Sequence, residues 1–248
     1  MNNQDKIEFI IDWITDYVDK MPNPAQSLVV GVSGGIDSAL TSTLASMTGL
    51  QTYALSMPIN TGAKCNNLGE VHGHWLKEKF KNTNHMTIDL TSTYREFNSL
   101  LTNSNQDSDL GFANSKSRLR MVTLYQVAAA QGGLVVGTGN KVEDFGVGFY
   151  TKYGDGGVDI SPIADLMKSE VHSLASSLGI DERILQAPPT DGLWDDDRTD
   201  ETQLGLSYNE LEEAMLNEDS INRNKYQKIR KNNLHKMNSI PVCKIPRT

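Results

Sequence analysis

An apolar run, Leu28-Val29-Val30-Gly31-Val32, empties into Ser33-Gly34-Gly35-Ile36-Asp37-Ser38, and a helix-forming stretch, Ala39 to Leu44, follows at once. Strand, glycine-rich turn and helix start in that order make an anion cradle. The glycines let the backbone turn tightly and approach a ligand closely. The first-turn amides of the new helix point at an anion, and the helix dipole favours its charge. No Lys-Ser/Thr follows the last glycine, so the turn is not a Walker A loop. Two acids accompany it: Asp37 inside the turn, and Glu143 shortly after a second apolar run, Leu134-Val135-Val136-Gly137-Thr138. A magnesium ion on phosphates needs only one or two protein carboxylates, so Asp37 and Glu143 suffice to hold one. Singly, Asp37 also reads as a first-turn helix acid and Glu143 as a surface acid; the pairing favours the site.

The elements around these residues alternate. A helix is expected over 4–20, where Ile7, Ile10, Ile11, Ile14, Tyr17 and Val18 recur at helical spacing before Pro22 and Pro24. Strands are expected at 28–32, 52–57, 85–89 and 134–138. Helices are expected at 36–47, 70–81, 90–101, 114–131 and 163–178, with two short ones at 208–216 and 220–233. Such alternation with short links predicts parallel βαβ units, a doubly wound α/β sheet flanked by helices. In such sheets ligands sit beyond the carboxyl ends of the strands, at the switch point, which is where the Ser33 turn and Gly137-Thr138-Gly139-Asn140 both lie. Long polar loops are expected at 58–69, at 139–159 and at 187–205, the last holding the acid run Asp195-Asp196-Asp197. The whole chain reads as one domain, with an N-terminal helix (about 1–24) and a C-terminal helical extension (about 206–248).

Composition narrows the function classes. The 248 residues carry 23 basic and 31 acidic side chains, a formal charge of −8, the wrong sign for a general grip on nucleic acid. The basic segment from Asn222 to Thr248, with Arg223, Lys225, Arg230 and Arg247, reads mainly as a solvated face and tail. No apolar run reaches membrane-spanning length, and the polar opening lacks a signal-peptide core. Cys65 and Cys243 match no metal or redox spacing, so a reduced, cytoplasmic setting is expected. Other cues lead nowhere: His72-Gly73-His74 sends two imidazoles off a helix in different directions, and Val142 occupies the third glycine position of a dinucleotide fingerprint after Gly137 and Gly139.

The form Ser-Gly-Gly-x-Asp-Ser resembles the pyrophosphate loop of enzymes that cleave ATP between its α- and β-phosphates. Further segments extend the likeness to the ammonia-dependent NAD synthetases of the N-type ATP-pyrophosphatase superfamily. Gly137 to Glu143 resembles that family's second ATP motif, and Thr151-Lys152-Tyr153-Gly154-Asp155-Gly156-Gly157-Val158-Asp159 its nicotinate-side loop. Asn114-x-Lys116-x-Arg118-x-Arg120-Met121 matches its dinucleotide helix, and His235-Lys236 its C-terminal His-Lys-Arg element. The likeness runs from about Leu28 to Lys236. It implies an adenine nucleotide alpha hydrolase-like fold and a homodimer whose long helices help form the dinucleotide sites.

The same resemblance implies the site. Gly31, Ser33, Gly34, Gly35, Ile36, Asp37 and Ser38 would hold ATP, with Thr138, Lys168 and Thr190 also facing it, and Asp37 and Glu143 on Mg2+. Asn114, Arg118, Lys152, Asp155, Asp159, His235 and Lys236 would contact deamido-NAD, and Asp37, Lys168 and Asp155 would be the catalytic set. The implied reaction converts deamido-NAD to NAD with ATP and ammonia through an adenylated nicotinate carboxylate. Neither cysteine lies in a glutaminase context, so free ammonia, or ammonia from a separate partner, is the expected nitrogen source. Three positions depart from the family: Ser56 where an arginine is usual, Met237 in the third place of the His-Lys-Arg element, and Leu110 before the Asn114 helix. Two other readings fit the Ser33 turn alone: another ATP-pyrophosphatase ligase, and a non-catalytic nucleotide-binding module.

Overall fold

Among the described residues four parallel strands carry everything else: β1 (Ser27–Gly31), β2 (Gln51–Ser56), β3 (Thr83–Thr87) and β4 (Gly133–Val136), in the order β3-β2-β1-β4. Leu28 of β1 pairs with Thr52 on one side and Leu134 on the other, and a further parallel bridge joins Val136 to Ile160. The computed structural model describes residues 1–59, 68–194, 196 and 198–246; Cys65, Asp195, Asp197 and Arg247 lie outside them. The helices are α1 (Asn3–Asp19), α2 (Ile36–Met47), α3 (Leu68–Lys79), α4 (Thr91–Asn103), α5 (Asp109–Ala130), α6 (Lys168–Ser177), α7 (Glu182–Leu185), α8 (Asp200–Leu204), α9 (Tyr208–Leu216) and α10 (Arg223–Met237), with a π-helical turn at Lys141–Val147.

Both faces of the sheet are covered, which is why β1 reads as an unbroken apolar run. Leu28 and Val30 point to a core shared with Ile7 and Ile14 of α1, Leu40 and Leu44 of α2 and Leu174 of α6. Val29, between them, points the other way, into a core with Leu55, Met121, Leu124 and Ala128. The doubly wound architecture follows from this strand alternation. A third core joins Val142 and Val147 of the π-helical turn to Leu211 and Tyr226, so the C-terminal helices pack directly onto the segment carrying Glu143. Among the described residues no helix is long and apolar enough to cross a membrane.

Several boundaries differ from the expected ones, each for a local reason. The helix expected from Ile163 starts at Lys168, because Asp159 and Ile160 run along β4 (the Gly137 amide donates to the Ile160 carbonyl at 2.7 Å) and the chain then leaves the sheet in turns. Ile163 is buried as an anchor of those turns. The loop expected over 139–159 contains the π-helical turn, whose cap is Asn140. Helix α5 begins at Asp109, capped by Ser108, whose hydroxyl accepts from the Gly111 amide. The last helix continues to Met237.

His72 and His74 do leave α3 on different sides: His72 is buried and His74 exposed. His72 stacks on Trp75, and its Nε2 lies 3.1 Å from the Ser42 hydroxyl. Burial lowers its pKa to about 4, whereas an unfolded imidazole takes a proton near 6.5. The unfolded chain therefore binds the extra proton first, and stability falls as pH drops from about 6.5 towards 4, by up to about 3 kcal/mol from this group. Urea unfolding at pH 7.5 and pH 5 should show this loss, and His72→Gln should flatten the dependence.

Candidate active site

The turn after β1 places its atoms tightly. Gly34 has φ +91°, and a Cβ there would meet the Gly69 amide nitrogen at 2.7 Å, so only glycine fits. The Ser33 and Ser38 hydroxyls lie 3.1 Å apart, and Ser38 donates to the Gly35 carbonyl at 2.8 Å. Gly35 caps α2 and supplies no side-chain acceptor, so the first-turn amides beyond it stay available to an anion. Gly31 closes β1 against Met57 and Leu124, and Ile36 packs into the α1–α2 core.

Beside this turn an ammonium lies between two carboxylates. Lys168 Nζ donates to Asp37 Oδ2 at 2.5 Å and to Glu143 Oε1 at 2.9 Å, with all three side chains less than a fifth exposed. Asn140, wholly buried, organises the pair: its Oδ1 accepts from the Val142 and Glu143 amides, and its Nδ2 donates to Asp37 Oδ1 at 3.1 Å. Tyr208 donates to Glu143 Oε1 at 2.5 Å and reaches Asp200 Oδ2 at 3.3 Å. Burial raises the pKa of Asp37 against the pull of Lys168. Burial acts the same way on Glu143, but Lys168 and the Tyr208 hydroxyl outweigh it and hold that carboxyl below its ordinary value. Lys168 stays protonated, its burial overcome by both acids. Asp200, with burial and Glu143 both opposing its charge, is raised to about 7.

A second group surrounds Asp155. Its Oδ1 accepts from the Ser117 hydroxyl at 2.6 Å and the Thr151 amide at 3.1 Å. The Thr151 hydroxyl donates to Asn114 Oδ1 at 2.7 Å, Arg118 donates to the Lys152 carbonyl, Lys152 to the His235 carbonyl and Lys236 to the Tyr150 carbonyl. Asp144 links the two groups electrostatically: burial, then Glu143, Asp155 and Asp37, hold it well above the usual carboxylate range. Arg118, Val122, Tyr125, Tyr153 and Val158 line an open cavity of about 780 Å³. Asp159 belongs to neither group, since Tyr125 donates to its Oδ1 and the Val135 amide to its Oδ2. Thr138, just past β4, is half-buried, and Thr190 is exposed with its hydroxyl on the Gly192 amide.

A family model for NAD synthase spans residues 6–245. The chain belongs to the NAD synthase family. A Syntrophomonas wolfei protein named NH(3)-dependent NAD(+) synthetase is 36% identical over 253 residues, covering 99% of this chain and 98% of that protein. Among solved structures, one titled as NMN synthetase from Francisella tularensis superposes with a TM-score of 0.87 at 29% identity, covering 99% of this chain and all of that one. An NH3-dependent NAD synthetase from Campylobacter jejuni, in complex with the nitrate ion, gives 0.77 at 26% identity over 98% of this chain and all of that one.

Within this NAD synthase four further residues lie around the two groups: Asn140 and Arg120 stand inside segments already quoted for the family resemblance, and Tyr208 and Asp200 come from α9 and α8. Asn140 and Tyr208 hold Glu143, and Asp200 stands behind Tyr208. Arg120 donates from Nε to the Met57 carbonyl at 3.2 Å, and its other N–H groups have no partner among the described residues. Burial lowers the Arg120 pKa, opposed by Asp155 and Asp191, so a cation stands at the carboxyl end of β2. Ser56, the last residue of that strand, pairs with His85 Nε2 at 2.9 Å. Asn140 and Arg120 are legible through those segments, Asn140 also as an Asx-type cap before the Val142–Glu143 amides; Tyr208 comes from a distant element.

Proposed function

We propose that this protein is a ligase that amidates deamido-NAD to NAD with ATP and ammonia, releasing AMP and pyrophosphate. One observation supports it above others: the Lys168 ammonium bound by both Asp37 and Glu143 beside the uncapped start of α2. The nicotinate carboxylate attacks the α-phosphorus of ATP, the bond to pyrophosphate breaks, and an acyl adenylate forms. Ammonia then attacks the acyl carbon and AMP leaves. The Ser33–Ser38 amides take the phosphates, and Lys168 offsets charge on the α-phosphate and the departing pyrophosphate. The Asp155 loop holds the nicotinate end, with Asn114, Arg118, Lys152, His235 and Lys236 toward the dinucleotide. Asp155 suits proton uptake from ammonia better than Asp159, because both Asp155 hydrogen bonds fall on Oδ1 while both oxygens of Asp159 are taken.

The donor set also fits Mg2+. The Lys168 ammonium is already a stand-in cation between Asp37 and Glu143, two part-buried carboxylates of the kind Mg2+ takes alongside substrate phosphates. When bound, the ion supplies charge neutralisation of the phosphates. Helix α1 shares a core with β1 and β4, and the C-terminal extension shares one with the π-helical turn, which supports residues 1–248 acting as one unit. The exposed side of α5, with Leu110, Val122 and Tyr125 at its surface, supports a homodimer through that helix. ATP and deamido-NAD as substrates support a cytoplasmic setting.

Purified protein given deamido-NAD, ATP, Mg2+ and ammonium is expected to yield NAD and AMP in equal amounts, as a dimer by sedimentation. ADP in place of AMP overturns the reaction, and no turnover favours a binding module. The 0.87 superposition on the Francisella protein supports a second reading, in which nicotinate mononucleotide is the acid amidated. Comparing kcat/KM for the two acids in that assay separates them.

A further inference from the structure

Tyr208 reaches two of the three charged groups of the centre with one side chain. Its hydroxyl donates to Glu143 Oε1 at 2.5 Å, and its ring faces the Lys168 ammonium, 4.8 Å from Nζ to the ring centre. Behind it stands Asp200, 3.3 Å from the hydroxyl through Oδ2, while Asp200 Oδ1 is buried with no hydrogen-bond partner among the described residues. The tyrosine is itself fixed. Ser207 and Glu210 form a capping box at the start of α9, the Tyr208 amide donates to Glu201 at 2.9 Å, and the ring is buried with Val142, Leu211 and Tyr226. Such a buttressed hydroxyl fixes the rotamer of the carboxylate it touches. Both donors to Glu143, Lys168 Nζ and the Tyr208 hydroxyl, fall on the same oxygen.

We propose that Tyr208 is a positioning residue for cation capture: its hydroxyl pins Glu143 through Oε1, with Asp200 behind it, and leaves Oε2 to the divalent ion that accompanies ATP. The cation–π contact lets the same ring hold Lys168 near its carboxylates. The C-terminal extension thereby sets the geometry of a site built on β1 and β4. This inference rests on Asp37 and Glu143 being the cation pair.

The test is Mn2+ binding followed by electron paramagnetic resonance, with α,β-methylene-ATP present, in the full chain and in Tyr208→Phe and Glu143→Gln. Tyr208→Phe keeps the ring and removes only the hydroxyl. It is expected to weaken Mn2+ binding about 10–100-fold, the scale of losing a group that orients a metal ligand, while KM for deamido-NAD and the melting temperature stay close to those of the parent. A merely structural role would move the last two instead. Unchanged Mn2+ affinity in Tyr208→Phe, with affinity lost in Glu143→Gln, overturns the positioning role alone. Unchanged affinity in Glu143→Gln overturns the cation pair beneath it. Should Tyr208→Phe fail to fold, 3-fluorotyrosine placed at position 208 keeps the hydroxyl. Its 19F resonance is then expected to move on adding Mg2+ with the analogue, and a resonance that stays put overturns the proposal.

Discussion

Asp37→Asn is expected to lower the rate of NAD formation at least about a hundredfold, the scale of losing one preorganised electrostatic group in a water-poor site. Asp37 uses both oxygens: Oδ2 accepts from Lys168 and Oδ1 from Asn140. An amide of the same shape keeps one acceptor and turns its NH2 against a donor, either the Lys168 ammonium or the Asn140 amide. One of the two contacts is thus kept and the other becomes a clash of donors. The charge of the pair also halves, which weakens any cation held with Glu143. Deamido-NAD should be little affected, because the Asp155 group shares no hydrogen bond with Asp37. Steady-state kinetics with each substrate varied, and AMP release in a single turnover, check the split. Near-normal turnover would remove Asp37 from the site.

How far this was legible in the sequence depends on the range over which each feature is encoded. The Ser33 turn is local: an apolar run, two glycines and a helix start are contiguous, and the φ of +91° at Gly34 is what the glycine is there for. Strand β1 was legible because burial on both faces leaves an unbroken apolar run. Ile163 and Leu166 mimic helical spacing, yet they anchor turns, because β4 captures Ile160 and the chain is still leaving the sheet at Pro162. The contacts of Tyr208 and Arg120 were illegible for another reason. Tyr208 meets Glu143 across 65 residues and Arg120 meets Met57 across 63, and no local pattern marks a side chain whose partner is that distant. Asp159 shows the converse. Its place in the nicotinate-side motif suggests chemistry, but the Val135 amide and the Tyr125 hydroxyl take both oxygens.

Lys168→Met tests the same centre from its positive side, and its effects reach stability as well as rate. The side chain is only 13% exposed, against 17% and 16% for Asp37 and Glu143. Methionine fills the volume of the stem but leaves two carboxylates facing each other with little water. Breaking a buried pair by removing one partner costs about 3–5 kcal/mol, so the variant should unfold at markedly lower urea near pH 8. The pH dependence has a definite sign. Without the ammonium, burial and the Glu143 charge hold the Asp37 carboxyl above its unfolded value of 3.8. The folded variant then binds a proton that the unfolded chain releases, so stability returns as pH falls through that raised value and is lost as pH rises through it. A divalent cation should restore part of it at pH 8, because a ligand that binds the folded state stabilises it by mass action. Amidation should still fall about 10²–10³-fold, since the charge meeting the α-phosphate is gone. A variant as stable as the parent from pH 5 to 8, and indifferent to Mn2+, would mean that Asp37 and Glu143 do not oppose each other as their geometry requires.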